Sequence, residues 1–360
     1  MQIGLVGYGA CIPRHRIAVK DIFDVWNNTV LEMLKGIKIE ERAVLQPDED
    51  TITMAVLAAK RALKQSGLAP EQIDSLYLGT GTSPWDSKAS AMTVAEALGL
   101  RPNIFIADVQ FSGKSATAAM QMAMGLIGSG MTKFSMVIGS DTINRHVAPG
   151  DLYEYTASAG AVALIIGSDR IIAEIEGTAS YGTDFSDFFR QEGSRFIRMG
   201  GQDIPALLDM GLIEHSVIAA KALFHKLGTK PSDYSYAVFQ AIYGFVPFAI
   251  GGALGFSPQQ IGPGVIAPMI GDCGAATSLL SLGSVLDIAK PGDSVFLSAY
   301  GFGAGSDAFS LKATPSIVET RGKSPAVRQL LEDKQLVSYG TALKFEYKLL
   351  RPENAASPYV

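Results

Sequence analysis

Short apolar runs alternate with longer stretches of helical periodicity along nearly the whole chain. Residues 3–6 are predicted as a buried first strand that ends in a glycine-rich turn. Residues 20–34 and 50–65 are predicted as helices. In the second of these, Met54, Leu57, Ala58 and Leu63 supply the apolar face, and Gly67 stands where a C-cap belongs. Strands follow at 76–79, 104–109, 134–139 and 161–166. Between them the periodicity predicts helices over 89–98, stopped by Gly99, and over 114–127, stopped by Gly128-Ser129-Gly130. The order recurs later: strand 236–239, helix 245–254, strand 265–270, helix 275–289 and strand 294–299. Such alternation implies a largely parallel sheet covered by helices.

The recurrence is also a sequence repeat. Residues 105–141 lie on 265–301 with one constant offset of 160 and no gap. Ile106 then falls on Ile266, Ala107 on Ala267, Ala116 on Ala276 and Thr117 on Thr277. A repeat this long exceeds a solenoid unit and implies two related α/β halves about a pseudo-two-fold axis. The expected organisation is an N-terminal half over 1–167, a connecting segment over 168–211 and a C-terminal half over 212–360. The connector carries an aromatic and basic cluster, Phe185, Phe188, Phe189, Arg190, Phe196 and Arg198. That cluster suits the wall of a pocket or a subunit contact, and equally a surface hairpin.

Composition narrows the class. Of 360 residues, 48% are apolar and 18% charged. An average soluble chain has about 25% charged residues, so this one is expected to be ordered and to hide surface against another subunit. A net charge of −5 gives no footprint for nucleic acid. No run of eighteen apolar residues calls for a membrane. The start, with no basic stretch before Gly4, does not read as a signal peptide. The two cysteines, Cys11 and Cys273, make neither a disulfide framework nor a zinc site, and a cytoplasmic location is the expectation.

In duplicated α/β folds ligands collect where strand C-termini meet helix N-termini. Three such junctions stand out: residues 110–115, 239–241 and 271–274. At the first, Ser112 and Ser115 are candidate nucleophiles that lack an obvious base, or simple N-caps. At the second, Gln240 can hold a carbonyl but cannot shuttle a proton. At the third, Asp272 reads as a base or a cap, and Cys273 as a reactive thiol or a small buried side chain. Of the histidines, His15 and His146 fall in predicted loops, and His215 and His225 on a predicted helix near the surface. Gly301 to Asp307 lacks the lysine of a phosphate loop and the spacing of a dinucleotide fingerprint. Lys20, Arg42, Lys114 and Arg145 are the cations a phosphate-rich ligand would want. No spacing of metal ligands is present.

Taken together, Gly7-Tyr8-Gly9-Ala10-Cys11-Ile12-Pro13, Ala107-Asp108-Val109-Gln110-Phe111, Ala148-Pro149-Gly150-Asp151, residues 157–167, Thr183-Asp184-Phe185 and residues 301–309 resemble the thiolase superfamily. The likeness is to its ketoacyl-synthase III and archaeal 3-hydroxy-3-methylglutaryl-CoA synthase branch. It implies a duplicated five-layered αβαβα thiolase fold, a tunnel for acyl-CoA between the halves, and a dimer. Residues 41–50, 77–80, 107–114, 141–145 and 300–308 further resemble the synthase-III-like subunits of bacterial monoacetylphloroglucinol acetyltransferase complexes. By that resemblance the partners are a thiolase-like subunit and a small OB-fold protein, and the reaction is C-acetylation of a phloroglucinol-type ring. The family's functional residues fall on Gly113 for its nucleophilic Cys, Gly81 for its Glu, Gln240 for its His and Asp272 for its Asn. Acyl transfer through a thioester needs a thiolate and a proton-handling group, and glycine offers neither. The expectation is therefore a non-nucleophilic subunit that supports a catalytic partner, with no covalent cofactor and a residual tunnel able to take acyl-CoA. Two alternatives stand beside it. One is an autonomous condensing enzyme or acyltransferase using Ser112, Ser115, Asp272 or Cys273 in new roles. The other is a non-catalytic homodimer that binds CoA or a polyketide.

Overall fold

The computed structural model describes residues 1–26, 36–201, 204–303 and 305–349. Most predicted elements form within a residue or two of their expected ends. The strands of the first half are β1 (Gly4–Cys11), β2 (His15–Ala18), β3 (Glu41–Val44), β4 (Ser75–Thr80), β5 (Phe105–Gln110), β6 (Phe134–Thr142) and β7 (Ala159–Gly167). Those that follow are β8 (Ala173–Tyr181), β9 (Phe188–Phe189), β10 (Arg198–Met199), β11 (Tyr236–Phe239), β12 (Ser294–Gly301), β13 (Gly305–Ala313) and β14 (Gln335–Leu336). The longer helices are α1 (Val19–Trp26), α2 (Thr51–Ser66), α3 (Ser90–Leu98), α4 (Ser115–Gly128), α5 (Glu214–Leu227), α6 (Val246–Leu254), α7 (Thr277–Leu286) and α8 (Tyr339–Phe345). Part of the predicted helix 20–34 lies outside the described residues.

Local chemistry sets the ends of α2. The Asp50 carboxylate accepts from Thr53 N at 2.7 Å, and the Thr53 hydroxyl accepts from Asp50 N at 2.8 Å. This reciprocal box satisfies two donors that the first turn would leave open. Gly67, with φ of 69°, then turns the chain out of the helix.

Nine strands run in the order β11-β12-β13-β8-β1-β7-β6-β4-β5. The order divides into two sequences of related topology. β5, β4 and β6 are mutually parallel, and β7 and β1 continue antiparallel. β11 and β12 are parallel, and β13 and β8 continue antiparallel. The two meet where Gly4 and Leu5 of β1 pair with Glu174 and Ala173 of β8. β6 and β7 are buried along their whole length; β7 carries an unbroken apolar run rather than alternation, and β6 is apolar over Met136–Gly139 between buried polar residues.

Three apolar cores define the layers. α2 and α3 pack on one face of the first sheet. α5 and α6 pack in a second core with Phe239 and Phe296 of the other sheet. α4 and α7 share the core between the sheets, where all ten residues of α7 are buried. The arrangement is the five-layered αβαβα duplicated thiolase fold.

Residues 265–270, predicted as a strand, instead form a short helix over Ala267–Ile270. Pro268 lies within the run, and proline favours the first turn of a helix over a central strand. Among the described residues the second sheet thus has no counterpart of β5, which forms the open edge of the first. β8, inside the segment read as a connector, pairs with both β1 and β13. Among the described residues no helix is long and apolar enough to cross a membrane. No group of three or more His, Cys, Asp or Glu among them is placed to hold a metal ion.

Candidate functional site

The three strand-to-helix junctions converge. β4 delivers Gly81, the turn before α4 delivers Ser112 and Gly113, β11 delivers Gln240, and the turn before α7 delivers Asp272 to Gly274. A Cβ at Gly81 would lie 2.9 Å from Ser112 Cβ. One at Gly274 would lie 2.7 Å from Ser112 Oγ and closer still to an Asp141 oxygen. Gln240 donates through Nε2 to the Gly274 carbonyl at 3.2 Å. The Gln240 Oε1 is buried without a partner among the described residues.

Gly113 is held at φ of 75° against the end of β12. A Cβ there would fall within the radius of the Tyr300 carbonyl oxygen and 2.8 Å from Gly301 Cα. The backbone has closed around the glycine hydrogen.

At the centre stands Asp141, a residue to which sequence reasoning gave no role. Its Oδ1 accepts from the Thr80 hydroxyl at 2.9 Å, Gly81 N at 2.8 Å and the Thr82 hydroxyl at 2.6 Å. Its Oδ2 accepts from the Ser112 hydroxyl at 3.0 Å and Ala275 N at 2.8 Å. Full burial raises this carboxyl above its ordinary value, and the donors only partly offset that. Asp141 therefore ties the ends of β4 and β6 to the turns before α4 and α7. Its one visible signal was an acid at the end of an apolar strand run, Phe134–Thr142.

The expected cap roles of the serines do not form. Lys114 is the N-cap of α4 and makes no side-chain cap bond. Ser115 is fully buried and its hydroxyl finds no partner among the described residues. Asp272 is also fully buried, accepting from Gly274 N at 3.0 Å, the Thr277 hydroxyl at 2.7 Å and the Tyr153 hydroxyl at 2.7 Å. Burial again raises its carboxyl. Cys273 points its Sγ at the Ala159 carbonyl at 3.3 Å, and burial, with Asp272 adding to it, pushes its thiol up. A thiol in that state is not a nucleophile at neutral pH.

A cavity of 310 Å³ opens beside Ser112 and Gly81. Phe188, Phe189, Arg190 and Phe302 form its outer wall, so part of the aromatic and basic cluster does line a pocket. The Phe188 and Phe302 rings stand 4.7 Å apart. Asp187 fixes that wall: it accepts from the Tyr300 hydroxyl at 2.5 Å and from Gly303 N at 3.2 Å. Of the candidate hydroxyls and thiols, Ser112 is the one on the cavity lining.

The four cations do not converge on this cavity. Lys20 is exposed beside Asp24. Arg42 is fully buried with Glu346. Lys114 reaches Asp307 at 3.0 Å, and Arg145 holds the carbonyls of Glu49 and Gln46. His215 is not near the surface: it is buried, with Nδ1 donating to the Gly211 carbonyl at 2.6 Å and Nε2 facing the Thr183 hydroxyl at 2.7 Å.

No family model matches the chain. Curated relatives span it nearly end to end. The hydroxymethylglutaryl-CoA synthase of Methanopyrus kandleri is 41% identical over 348 residues, 97% of this chain and 98% of that protein. The protein of the same name from Methanosarcina barkeri is 42% identical over 353 residues, 98% of this chain and 100% of that one. Among solved structures, an HMG-CoA synthase complexed with CoA superposes with a TM-score of 0.86 at 19% identity, covering 98% of this chain and 92% of that one. The 3-oxoacyl-[acyl-carrier-protein] synthase III of Aquifex aeolicus VF5 gives 0.78 at 22% identity, covering 86% and 99%. At such identities the structures speak for the fold alone. The curated relatives correct the expectation of a non-nucleophilic subunit supporting a phloroglucinol acetyltransferase. These full-length proteins bear the name of a synthase, not of a supporting subunit.

Proposed function

Because the chain belongs to the hydroxymethylglutaryl-CoA synthase family, we propose that it is an autonomous condensing enzyme or acyltransferase that takes an acyl-CoA thioester into the cavity beside Ser112. The observation that carries this reading is the cavity itself. It lies where the ends of β4 and of the turn before α4 meet, the usual place for a ligand in such sheets. Solved relatives of the same fold hold CoA or 3-hydroxy-3-methylglutaryl coenzyme A.

The chemistry is then rearranged around Ser112. Its hydroxyl hydrogen points to Asp141 Oδ2. Attack of Oγ on the thioester carbonyl sends that proton to Asp141, breaks the C–S bond and leaves an ester on Ser112. The departing thiolate takes the proton and leaves as CoA thiol. The second substrate then loses an acidic C–H proton, its carbon displaces Oγ from the acyl group, and that same proton returns to Oγ to restore the Ser112 hydroxyl. The raised carboxyl of Asp141 suits it to hold a proton briefly.

The acceptor to offer is acetoacetyl-CoA. The test is release of CoA thiol from acetyl-CoA by the purified chain with that acceptor, and intact mass after incubation with acetyl-CoA. Thiol release that falls at least a hundredfold in Ser112→Ala supports the scheme. Release that survives the substitution points to direct transfer between bound substrates. No release and no retention of acetyl-CoA would remove the reading.

Association is proposed along β5. Phe105 is 52% exposed on this open edge, and Ile106 and Ala107 are half-buried. An exposed apolar edge strand invites pairing with another strand, and a second copy is the proposed occupant. Light scattering on the purified chain, with Ile106→Lys as the disrupting variant, tests it. A monomeric wild type would reject it.

A further inference from the structure

We propose that residues 339–349 form a strap that positions the outer wall of the cavity, with Tyr347 and Arg195 as the positioning residues. The affinity readout of this inference rests on the acyl-CoA reading above; its structural readout does not.

The strap is anchored by four buried charges. Arg42 Nη1 meets Glu346 Oε1 at 2.5 Å, and Arg42 Nη2 lies 3.6 Å from Glu154 Oε1. Lys348 Nζ lies 2.8 Å from Glu346 and 3.4 Å from Glu154. All four side chains are at most 1% exposed. The quartet is neutral, and its spare acceptors are used: Gly150 N and the Tyr339 hydroxyl both donate to Glu154 Oε2. A set of opposed charges so enclosed fixes the C-terminal segment to β3 and to the 150–154 turn.

Between the two anchor residues the chain reverses. Tyr347 has φ of 56°, in the region that non-glycine residues seldom occupy. That conformation turns Glu346 and Lys348 inward and Tyr347 outward. The outward ring lies 5.1 Å from the Arg145 guanidinium, and its hydroxyl donates to the Pro47 carbonyl at 2.8 Å. Tyr347 N donates to the Lys344 carbonyl at 3.2 Å and Lys348 N to the Leu343 carbonyl at 2.9 Å, so this left-handed residue closes the C-terminus of α8.

From the strap the connection runs to the cavity. Arg195 Nη2 donates to the Tyr347 carbonyl at 2.5 Å and to the Glu346 carbonyl at 3.2 Å. Two residues on, Ile197 lines the cavity, and its N–H donates to the His146 carbonyl at 2.7 Å. The hairpin continues as β10, which pairs Arg198 with Phe189 and Met199 with Phe188. Phe188 and Phe189 belong to the aromatic wall. A ladder of two pairs has little stability of its own, so its place is set by its tethers. Arg195 joins the far arm of that hairpin to the one segment held by the quartet.

The experiment uses Arg195→Met, Tyr347→Ala and the conservative Tyr347→Phe in the full chain. Hydrogen exchange is read at residues 188–199 and at α7, and equilibrium dialysis is read with acetyl-CoA. In Arg195→Met the hairpin amides are expected to exchange at least about tenfold faster, the factor for one hydrogen bond to a charged group, and in Tyr347→Ala several-fold faster, since the ring's contact with Arg145 is lost. α7 is expected to stay unchanged. Acetyl-CoA affinity falls several-fold in both and returns in Tyr347→Phe. Unchanged hairpin exchange overturns the strap, as does equal acceleration in α7, which would mark general destabilisation. If the wild type does not retain acetyl-CoA, the functional reading fails while hydrogen exchange still decides the strap.

Discussion

Placing a side chain at residue 113 tests whether the site has closed around glycine. In Gly113→Ala the new Cβ meets only backbone: the Tyr300 carbonyl, with its carbon at 2.9 Å, and Gly301 Cα at 2.8 Å. Neither can swing aside as a flexible side chain would, so the end of β12 or the start of α4 must move. An L-residue held at a positive φ costs roughly 1–2 kcal/mol, and overpacking of this kind adds about 1–3 kcal/mol. The sum is about 2–5 kcal/mol. For a chain of this length that corresponds to a fall in melting temperature of about 3–7 °C, by extension of the size scaling. The control is Gly67→Ala, where φ is 69° and nothing lies within 4 Å of the added carbon. That substitution carries the conformational cost without the steric one, so the difference in urea midpoint and melting temperature isolates packing against Tyr300. Equal losses in the two variants would refute the reasoning. The same Cβ accompanies a thiol, so Gly113→Cys is expected to lose at least as much stability as the alanine.

Other expectations are more compact. Arg42→Met removes one cation from the quartet and leaves Glu346 and Glu154 with Lys348 alone. The expected loss is about 3–5 kcal/mol, the usual result of breaking a buried pair from one side, and denaturant titration checks it. Burial alone would push the Glu346 carboxyl up, but Arg42 and Lys348 more than offset it and leave it below its ordinary value. Its contribution is therefore present above the unfolded carboxylate range and lost as pH falls through the lowered value. Asp272 runs the other way. Its carboxyl is raised by burial, so its contribution is full below the unfolded value and lost as pH rises through the raised one. Urea midpoints from acid to neutral pH should show less decline with rising pH in Asp272→Asn than in the wild type; parallel curves would count against this assignment. Burial pushes Cys11 to about 12 and Cys273 further up. Neither thiol is expected to react with iodoacetamide until denaturant is added, and mass spectrometry reads the difference.

Legibility in the sequence followed the source of each element's stability. The offset of 160 appears in the structure as the starts of β6 and β12, at Phe134 and Ser294. Those strands are apolar and buried, so pattern alone reveals them. β8 was hidden because Glu174 and Glu176 give it a polar look. β13 was hidden for a related reason: Ser306, Asp307 and Ser310 are buried polar residues within it. Asp307 is tolerated there because Lys114, Thr117 and Ser180 all donate to it, and those partners come from two distant segments. Asp141 was missed on the same ground. Its five donors lie in three separate segments, and no local window contains the reason for its burial. The junctions themselves were legible, since helix starts and strand ends are local features, but which of their side chains reach the cavity was not.

The family assignment and the site geometry bear on different questions. Identity of 41–42% over nearly the whole chain establishes common descent and a shared frame. It does not put a thiol at Gly113 or a carboxylate at Gly81. Any condensing chemistry here has to run on what surrounds those glycines, and among the described residues Ser112 alone brings a hydroxyl to the cavity with a carboxylate behind it. The Ser112 bond is one of five on Asp141, so Ser112→Ala leaves four donors in place and should disturb the fold little. Asp141→Asn turns one of the two oxygens into an NH2 donor that faces at least two of those five donors, and should lower stability as well as activity. That asymmetry separates a chemical role from a structural one. A Ser112→Ala protein that unfolds at the wild-type urea midpoint yet releases no CoA thiol would assign the step to the hydroxyl. Wild-type release rates in that variant would assign it to direct transfer across the glycine-lined floor.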